Sequence, residues 1–214
     1  QMGMVAAARV FKILDTEDQT EISGDKVLAE TDGNIRFEEV VFGYIPEEVV
    51  LKGVSFEVKK GETLAIVGAT GAGKSTIINL LNRFYDIQSG TINIGDTSID
   101  ELRLDSLRSH IAVVLQDVFL FADTIANNIS LGDSSLKRAD IIQAAKSIGV
   151  HDFISSLPGG YEFNVKERGG MLSSGQRQLI AFLRAYVANP PILVLDEATS
   201  SIDTNSEQLI QKAT

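Results

Sequence analysis

The chain has 214 residues, a formal net charge of −10 and 44% hydrophobic residues, which is enough apolar material for a sizeable buried core. It contains no cysteine, which excludes disulfides and thiolate metal sites, and its two histidines lie too far apart in sequence for a local metal motif. The acidic balance argues against a nucleic-acid partner, and no apolar run reaches the ~20 residues that span a bilayer.

The two ends of the chain differ in composition from its middle. Residues 1–15 ("QMGMVAAARVFKILD") carry small and apolar residues at roughly helical spacing and lack the regions of a signal peptide. Residues 16–34 are polar and acidic, as in a linker or a solvated loop, so we place a domain boundary near Asp32. Residues 205–214 begin an amphipathic helix without a terminating glycine, and we expect the natural protein to continue at both ends.

The first half of the chain is rich in predicted strands. "NIRFEEVVFGY" (34–44) and "VLKGVSFEV" (50–58) are β-rich and are separated by a proline-containing turn, which predicts an antiparallel pair. "TLAIVG" (63–68) is fully apolar and predicts a short strand buried on both faces. "KSTIINLLNRFYD" (74–86) has apolar residues at the spacing of one helix face. "SGTINIGD" (89–96) adds a further strand.

The second half changes to helices after the strand "HIAVVLQD" (110–117). From about residue 123 to 161 the pattern is mainly helical, as in "LKRADIIQAAKSIG" (136–149), which ends at a glycine, and "VHDFISSLPGG" (150–160), which ends at a Pro-Gly break. "PPILVLDEATSS" (190–201) predicts a return to a buried strand. The fold class is therefore α/β with a mostly helical insertion.

A glycine-rich loop carries the clearest chemical signal. "GATGAGKST" (68–76) matches G-x-x-x-x-G-K-[ST], and it lies between an apolar segment and an amphipathic helix. Glycines let the backbone wrap around phosphates, the helix N-terminus attracts the anion, Lys74 reaches the β- and γ-phosphates, and the Ser75 hydroxyl can ligate Mg²⁺. An ordinary glycine-rich turn is the alternative. The predicted nucleotide-binding residues of this loop are Gly68, Ala69, Thr70, Gly71, Ala72, Gly73, Lys74, Ser75 and Thr76.

A pair of acidic residues follows the last apolar run. Ile192, Leu193, Val194 and Leu195 deliver Asp196 and Glu197 to the end of a predicted central strand, where ligands of open α/β sheets collect. Asp196 can hold Mg²⁺ through water, and Glu197 can polarise an attacking water. Adjacent acids at a strand end are more often simply solvated, so the phosphate loop elsewhere in the chain is what favours this interpretation.

In this order, the motifs resemble the nucleotide-binding domain of ATP-binding-cassette transporters, of the exporter type in which this domain follows a membrane domain on the same polypeptide. The resemblance runs from residue 35 to 214. "GATGAGKST" is similar to the Walker A loop of this family, and "ILVLDE" is similar to its Walker B strand, with Glu197 at the position of the catalytic glutamate. "LSSGQ" (172–176) resembles the family signature, usually LSGGQ, and "SSID" (200–203) resembles the D-loop.

Other segments match the family by position. "VLQDVFLF" places Gln116 at the Q-loop glutamine, which in the family senses Mg²⁺ and links to the membrane domain, and "FGY" puts Tyr44 where the family stacks an aromatic ring on adenine. Taken alone, a glutamine such as Gln116 at a strand end is more often a surface amide, and Tyr44 could equally be a packing aromatic. "VKERGG" (165–170) resembles the segment that touches the transmembrane coupling helices, with Lys166 where glycine is common. "ARVFKILD" (8–15) is similar to the end of the last membrane helix and its linker.

The signature has a local and a family interpretation. Ser173 with Gln176 has the S-x-x-Q form of a capping box, which would satisfy the free N–H groups of a helix start. Such a start is also an anion site, and Gly175 lets a phosphate approach closely. In the family this helix faces the γ-phosphate bound to a second copy of the domain. Ser174 stands where the family prefers glycine, and turnover of Ser174→Gly would show whether that side chain matters.

The resemblance implies a P-loop NTPase core with an antiparallel β subdomain and an inserted α-helical subdomain. Residues 1–31 would be the end of the last membrane-domain helix and its linker, and 32–214 the ATPase domain, with the core at 32–116 and 177–214 and the helical subdomain at about 117–176. It implies ATP and Mg²⁺ as cofactors and ATP hydrolysis that powers export across a membrane. The implied catalytic residues are Glu197, Lys74 and Gln116, and the implied metal ligands are Ser75, Gln116 and Asp196.

The implied partners are a second nucleotide-binding domain, in a homodimer or a heterodimer, and a transmembrane domain on the same full-length chain, which would hold the ATPase at the cytoplasmic face of the membrane. Two other classes stay open. One is a cytosolic cassette ATPase of repair or translation, which would lack "ARVFKILD" and the exporter-like "LFADTIANNI" (120–129). The other is a non-hydrolysing regulatory cassette, which would need a damaged phosphate loop or Walker B acid.

One departure from the family pattern concerns histidine. The family places a switch histidine beyond the D-loop, and the sequence stops before that position, which neither His110 nor His151 matches. We therefore expect this chain to turn over ATP weakly and to be less stable than a chain with the native continuation. Equal turnover of the two chains would contradict the expectation.

Overall fold

The computed structural model describes residues 7, 9–12, 23–28, 33–115 and 117–196. Residues 7 and 9–12 are helical, in agreement with the pattern of the N-terminal segment. Gln116, Glu197, the D-loop at 200–203 and the helix predicted at 205–214 lie outside the described residues. Within the described ranges, no helix combines the length and the apolar character that crossing a membrane requires.

A four-stranded antiparallel sheet is built from the first half of the chain. Its strands are β1 (Ile35–Phe42), β2 (Leu51–Val58), β3 (Ser89–Ile94) and β4 (Thr97–Ser98), in the spatial order β2-β1-β3-β4. β1 pairs antiparallel with β2, which confirms the pairing predicted for 34–44 and 50–58.

A register shift in β1 keeps its apolar residues on one face of the sheet. The shift lies between Phe37 and Val40, and Glu39 takes a positive φ of 48° there. Because a bulge inserts an extra residue on one strand, Val40 and Phe42 return to the buried face that Ile35 and Phe37 occupy.

Helix α1 (Lys74–Leu81) starts directly after the glycine-rich loop. Gly73 caps it with φ 92°, a backbone conformation that residues with a side chain rarely adopt, so this position favours glycine. The helix is shorter than the predicted 74–86, because Arg83 adopts a left-handed φ of 51° that ends it. Phe84, expected on the apolar face, is instead exposed, and the Arg108 guanidinium lies 5.0 Å from its ring centroid.

The remaining described elements are two parallel strands and five helices; one helix precedes the first of these strands, and four lie between the two strands. Strand β5 (Ile111–Val114) pairs parallel and in register with β6 (Ile192–Leu195). The helices are α2 (Leu104–Ser109), α3 (Ile125–Ser130), α4 (Arg138–Ser147), α5 (His151–Ser156) and α6 (Ser174–Ala188), with 3₁₀ turns at Ile99–Glu101, Gly160–Glu162 and Glu167–Gly169. The predicted glycine stop after α4 and the Pro-Gly break after α5 are both confirmed.

Two apolar clusters divide the interior, and β5 lies between them. Ala112 and Val114 pack into the cluster formed by α3, α4, α5 and α6, whereas Ile111 and Val113 pack into the cluster beneath the antiparallel sheet and α1. Since successive side chains of a strand point to opposite faces, one short strand joins both clusters. The α/β class predicted from the sequence is confirmed.

The segment 63–68 is not the buried strand that its composition predicts. Residues 62–69 form no strand, and Val67 is 88% exposed. Leu64 and Ile66 line a cavity of ≈ 760 Å³ between the antiparallel sheet, α1 and β6. An apolar sequence favours burial, but a strand also needs a hydrogen-bonded neighbour, and within the described ranges no strand pairs with this segment.

Strand β6 forms where predicted, yet it is only partly buried. Ile192 is buried, whereas Leu193 and Leu195 are exposed. The prediction of a buried strand is therefore only partly correct for residues 192–195. As for residues 63–68, the physical reason is a strand neighbour missing from the described ranges. Among the described strands, β6 pairs with β5 alone.

Candidate nucleotide-binding site

The glycine-rich loop folds back on its own lysine. Lys74 Nζ donates to the carbonyl oxygens of Gly68, at 2.8 Å, and Ala69, at 3.1 Å, while Ala72 N donates to Ala69 O at 3.1 Å. Gly71 has φ 82°, and a Cβ there would meet no atom within 4 Å, so the loop has open space on that side. The sequence places a primary ammonium and a helix N-terminus at one open loop, which is an arrangement suited to phosphates.

The fold brings together two of the three predicted magnesium ligands, Ser75 and Asp196, and the third, Gln116, lies outside the described residues. Ser75 Oγ donates to Asp196 Oδ2 at 3.3 Å, although the residues are 121 positions apart. Asp196 is held at the carboxyl end of β6, where its N–H donates to Val114 O at 2.9 Å and extends the ladder with β5 by one bond.

This pair of oxygen donors fits Mg²⁺. The ion prefers oxygen ligands and commonly takes one or two from the protein and others from phosphate or water. Across the described residues, no cluster of three or more His, Cys, Asp or Glu side chains could hold a metal. A site with a hydroxyl, one carboxylate and substrate phosphates agrees with both observations.

Tyr44 lies against α1 rather than inside the sheet. It follows β1 in a bend and is 48% exposed, so it is not a core aromatic. Its hydroxyl lies 3.2 Å from Thr76 Oγ1 and accepts from Asn79 Nδ2 at 3.2 Å. The structure therefore joins Tyr44 to the helix that follows the phosphate loop.

Sequence reasoning missed two neighbours of Tyr44. Asn79 is three residues after Thr76 on α1, and this spacing puts both side chains on one helix face, a signal that was available. Tyr85 lies with its ring centroid 5.0 Å from that of Tyr44. Its position depends on how the chain turns after α1, which local sequence does not report.

The signature segment forms the predicted capping box. Ser173 Oγ accepts from Gln176 N at 3.2 Å, and Ser173 N donates to Gln176 Oε1 at 3.0 Å, at the start of α6. Gly175 is buried and Ser174 is exposed. The local interpretation is confirmed, and both polar side chains are engaged with their own helix.

Lys166 stands where the family commonly has glycine, and its backbone adopts a conformation typical of glycine. Its backbone has φ 61° and ψ −172°, a region occupied almost entirely by glycine. The Lys166 N–H donates to Asn164 Oδ1 at 2.9 Å. Arg168, two residues later, is also left-handed, with φ 53° and ψ 23°. The segment before the signature is thus a tight turn built partly from residues that do not favour one.

The sequence matches the ABC transporter family over residues 51–200. It is 47% identical over 213 residues to an ATP-dependent lipid A-core flippase of Saccharophagus degradans, covering 100% of this chain and 36% of the flippase. It is 44% identical over 213 residues to a fatty acid ABC transporter ATP-binding/permease protein of Mycobacterium bovis, covering 100% of this chain and 34% of that protein.

A solved structure of a bacterial Atm1-family ABC exporter with ATP bound matches with a TM-score of 0.88 and 42% identity, over 99% of this chain and 37% of the exporter chain. The chain thus spans about a third of the length of the relatives it matches. The ATP-binding domains of this family are ATPases. The chain belongs to the ABC transporter family, and its sequence is that of a nucleotide-binding domain of the exporter type.

Proposed function

We propose that this chain binds ATP with Mg²⁺ at residues 68–76 and hydrolyses it, and that the full-length protein uses this reaction to move a substrate across a membrane. The observation that carries the proposal is the contact between Ser75 Oγ and Asp196 Oδ2 at 3.3 Å, directly beside Lys74. These groups come from distant parts of the sequence. Their meeting at the start of a helix supports a phosphate and metal site.

The side chains of the loop would act by position and charge. Lys74 would exchange its two loop carbonyl partners for phosphate oxygens, and the N–H groups at the start of α1 would face the same anion. Ser75 and Asp196, together with Gln116, would hold Mg²⁺, which when bound neutralises charge on the phosphates. Phosphoryl transfer needs little covalent chemistry from the protein, so this arrangement supplies most of what it requires.

Glu197 would orient the attacking water. It follows Asp196 in the sequence, directly after the end of β6. A carboxylate at that position would accept a proton from the attacking water, and the neighbouring aspartate would bind the metal. The two acids would therefore have separate roles. Tyr44, with about half of its side chain exposed beside α1, would supply the ring on which adenine stacks.

A second nucleotide-binding domain would complete the site. Ser173, Gly175 and Gln176 at the start of α6 would face the γ-phosphate of the partner copy, in a homodimer or a heterodimer. The related ATP-binding/permease protein and the related exporter support a transmembrane domain on the full-length chain, with the ATPase at the cytoplasmic face. The named cargoes of the relatives differ at similar identity, so we assign no cargo to this chain.

The central test replaces the acid that meets Ser75. We expect Asp196→Asn to lower ATP turnover about 100-fold or more, because it removes a charged ligand from the metal and phosphate site. It should also abolish the Mg²⁺-dependent gain in ATP affinity, measured by calorimetry with and without Mg²⁺. Asp96→Asn, at an exposed turn between β3 and β4, is the matched control. Unchanged Mg²⁺ dependence in Asp196→Asn would overturn the proposal, whatever the absolute turnover of the chain.

A further inference from the structure

The setting of Tyr44 contains more structure than a single stacking residue needs. Phe42 and Tyr85 both meet its ring in perpendicular arrangements, with centroids 5.0 Å away and interplanar angles of 83° and 88° respectively. The Phe42 and Tyr85 rings also contact each other at 5.8 Å. Perpendicular contacts of this kind are favourable, and they limit the rotation of the ring in the middle.

The hydroxyl of Tyr44 contacts two side chains of α1. It accepts a hydrogen bond from Asn79 Nδ2 at 3.2 Å, which leaves its own proton available for Thr76 Oγ1 at 3.2 Å. Thr76 is 5% exposed, so water competes poorly for this contact. Both partners lie on one face of α1, the helix that begins with Lys74 and Ser75.

We propose that Asn79 and Tyr85 are positioning residues for ATP binding, which hold the Tyr44 ring at a set place relative to the phosphate loop. This inference rests on the proposed function, in which Tyr44 stacks on adenine. ATP joins its base and its phosphates covalently, so a ring tied to the phosphate-binding helix presents both halves of the site at the required separation. Preorganisation of this kind raises affinity because less freedom is lost on binding.

The arrangement gives a specific role to the tyrosine hydroxyl. A phenylalanine at position 44 would keep the stacking surface and lose the hydrogen bonds to α1. If the hydroxyl positions the ring, Tyr44→Phe should weaken ATP binding about 3- to 10-fold, as expected for one or two modest hydrogen bonds. A stacked ring contacts the face of a base and forms no hydrogen bond with its edge. We therefore expect Tyr44→Phe to lose the same factor of affinity for ATP and for GTP.

The experiment compares ATP with inorganic tripolyphosphate, which carries the charge but no base. Dissociation constants for both are measured by calorimetry on the whole chain, with Mg²⁺ present, for Asn79→Ala, Tyr85→Leu and Tyr44→Phe. We expect each variant to weaken ATP about 3- to 10-fold and to leave tripolyphosphate unchanged within twofold. Alanine has a higher helix propensity than asparagine, so Asn79→Ala does not weaken α1 itself.

Two further variants control for the aromatic substitution. Tyr85→Phe keeps the ring, and it should restore most of the ATP affinity that Tyr85→Leu loses. Tyr186→Leu makes the same change at an exposed position of α6 and should alter neither ligand. Parallel losses for ATP and tripolyphosphate would mean that Asn79 or Tyr85 acts through the general structure of α1, which would overturn the positioning role.

Tyr44→Ala separates this inference from the proposed function. A large loss of ATP affinity in Tyr44→Ala, with no loss in Asn79→Ala, Tyr85→Leu or Tyr44→Phe, would leave the base platform standing and disprove the positioning residues. Unchanged ATP affinity in Tyr44→Ala would instead remove the stacking role on which the inference depends. ATP-selective losses in all four variants would support both.

Discussion

Lys166 holds a backbone conformation that carries a conformational cost for any residue with a side chain. Strain of this kind is worth about 1–3 kcal/mol, and it persists where the surrounding structure determines the backbone. Here a hydrogen bond to Asn164 and the left-handed Arg168 two residues later shape the turn before the signature helix. The side chain at position 166 is therefore not what stabilises this turn.

Replacing this lysine should stabilise the protein. We expect Lys166→Gly to raise the free energy of unfolding by about 1 kcal/mol, because relief of strain outweighs the ~0.4–1 kcal/mol that glycine adds to the entropy of the unfolded chain. Urea unfolding of both proteins measures the difference. Lys146→Gly, at an exposed position in the last turn of α4, is the control and should destabilise by roughly 1 kcal/mol. A loss of stability in Lys166→Gly would contradict the strain assignment.

At the scale of elements, α6 shows how one helix serves two purposes. Its body is apolar and packs against α3, α4 and β5, so most of its stability comes from burial in the helical cluster. Its first turn is polar, and the capping box of Ser173 and Gln176 satisfies N–H groups that the helix itself cannot. The start of α6 is therefore well formed within a single chain, before any partner is considered.

The contribution of the cap can be measured directly. Ser173→Ala removes the acceptor for Gln176 N and should lower the free energy of unfolding by about 1 kcal/mol. Ser174→Ala changes the neighbouring exposed serine and should stay within about 0.5 kcal/mol of the original chain. Thermal and urea unfolding of the two variants give the comparison. Equal stability of both would show that the box observed at α6 contributes little.

For the whole molecule, the proposed mechanism requires association. Within one chain, the phosphate loop and the signature each form hydrogen bonds with nearby residues. Lys74 donates to carbonyl oxygens of its own loop, and Ser173 accepts from the first turn of its own helix. ATP held at one loop would bring a second copy close only if the signature start of that copy adds to the binding. Dimerisation should therefore depend on ATP and reverse after hydrolysis.

Glu197→Gln provides a test of this dependence. Removing the proposed base should slow hydrolysis and let an ATP-bound dimer accumulate, which light scattering at saturating MgATP would detect as a doubling of mass. Lys74→Ala combined with Glu197→Gln should stay monomeric, because ATP binding is impaired. A Glu197→Gln protein that remains monomeric at every ATP concentration would argue against a sandwiched nucleotide.

Features set within a few neighbouring residues could be read from the sequence. The capping box at Ser173 and the loop that ends at Gly73 depend on local hydrogen bonds and φ values, and both are present as predicted. The pairing of 34–44 with 50–58 also followed, because a short turn leaves two β-rich segments few other partners. Apolar composition likewise located β5 and β6.

Tertiary structure alone decided which distant groups meet. Ser75 and Asp196 were separate predictions, and their 3.3 Å contact comes from the alignment of α1 with the end of β6. The roles of Asn79 and Tyr85 beside Tyr44, and the exposure of residues 63–68, were likewise decided there, because each depends on which elements stand next to it. Local sequence determines how a segment prefers to fold and what it prefers to bury, whereas strand partners and side-chain neighbours are set by contacts between remote parts of the chain.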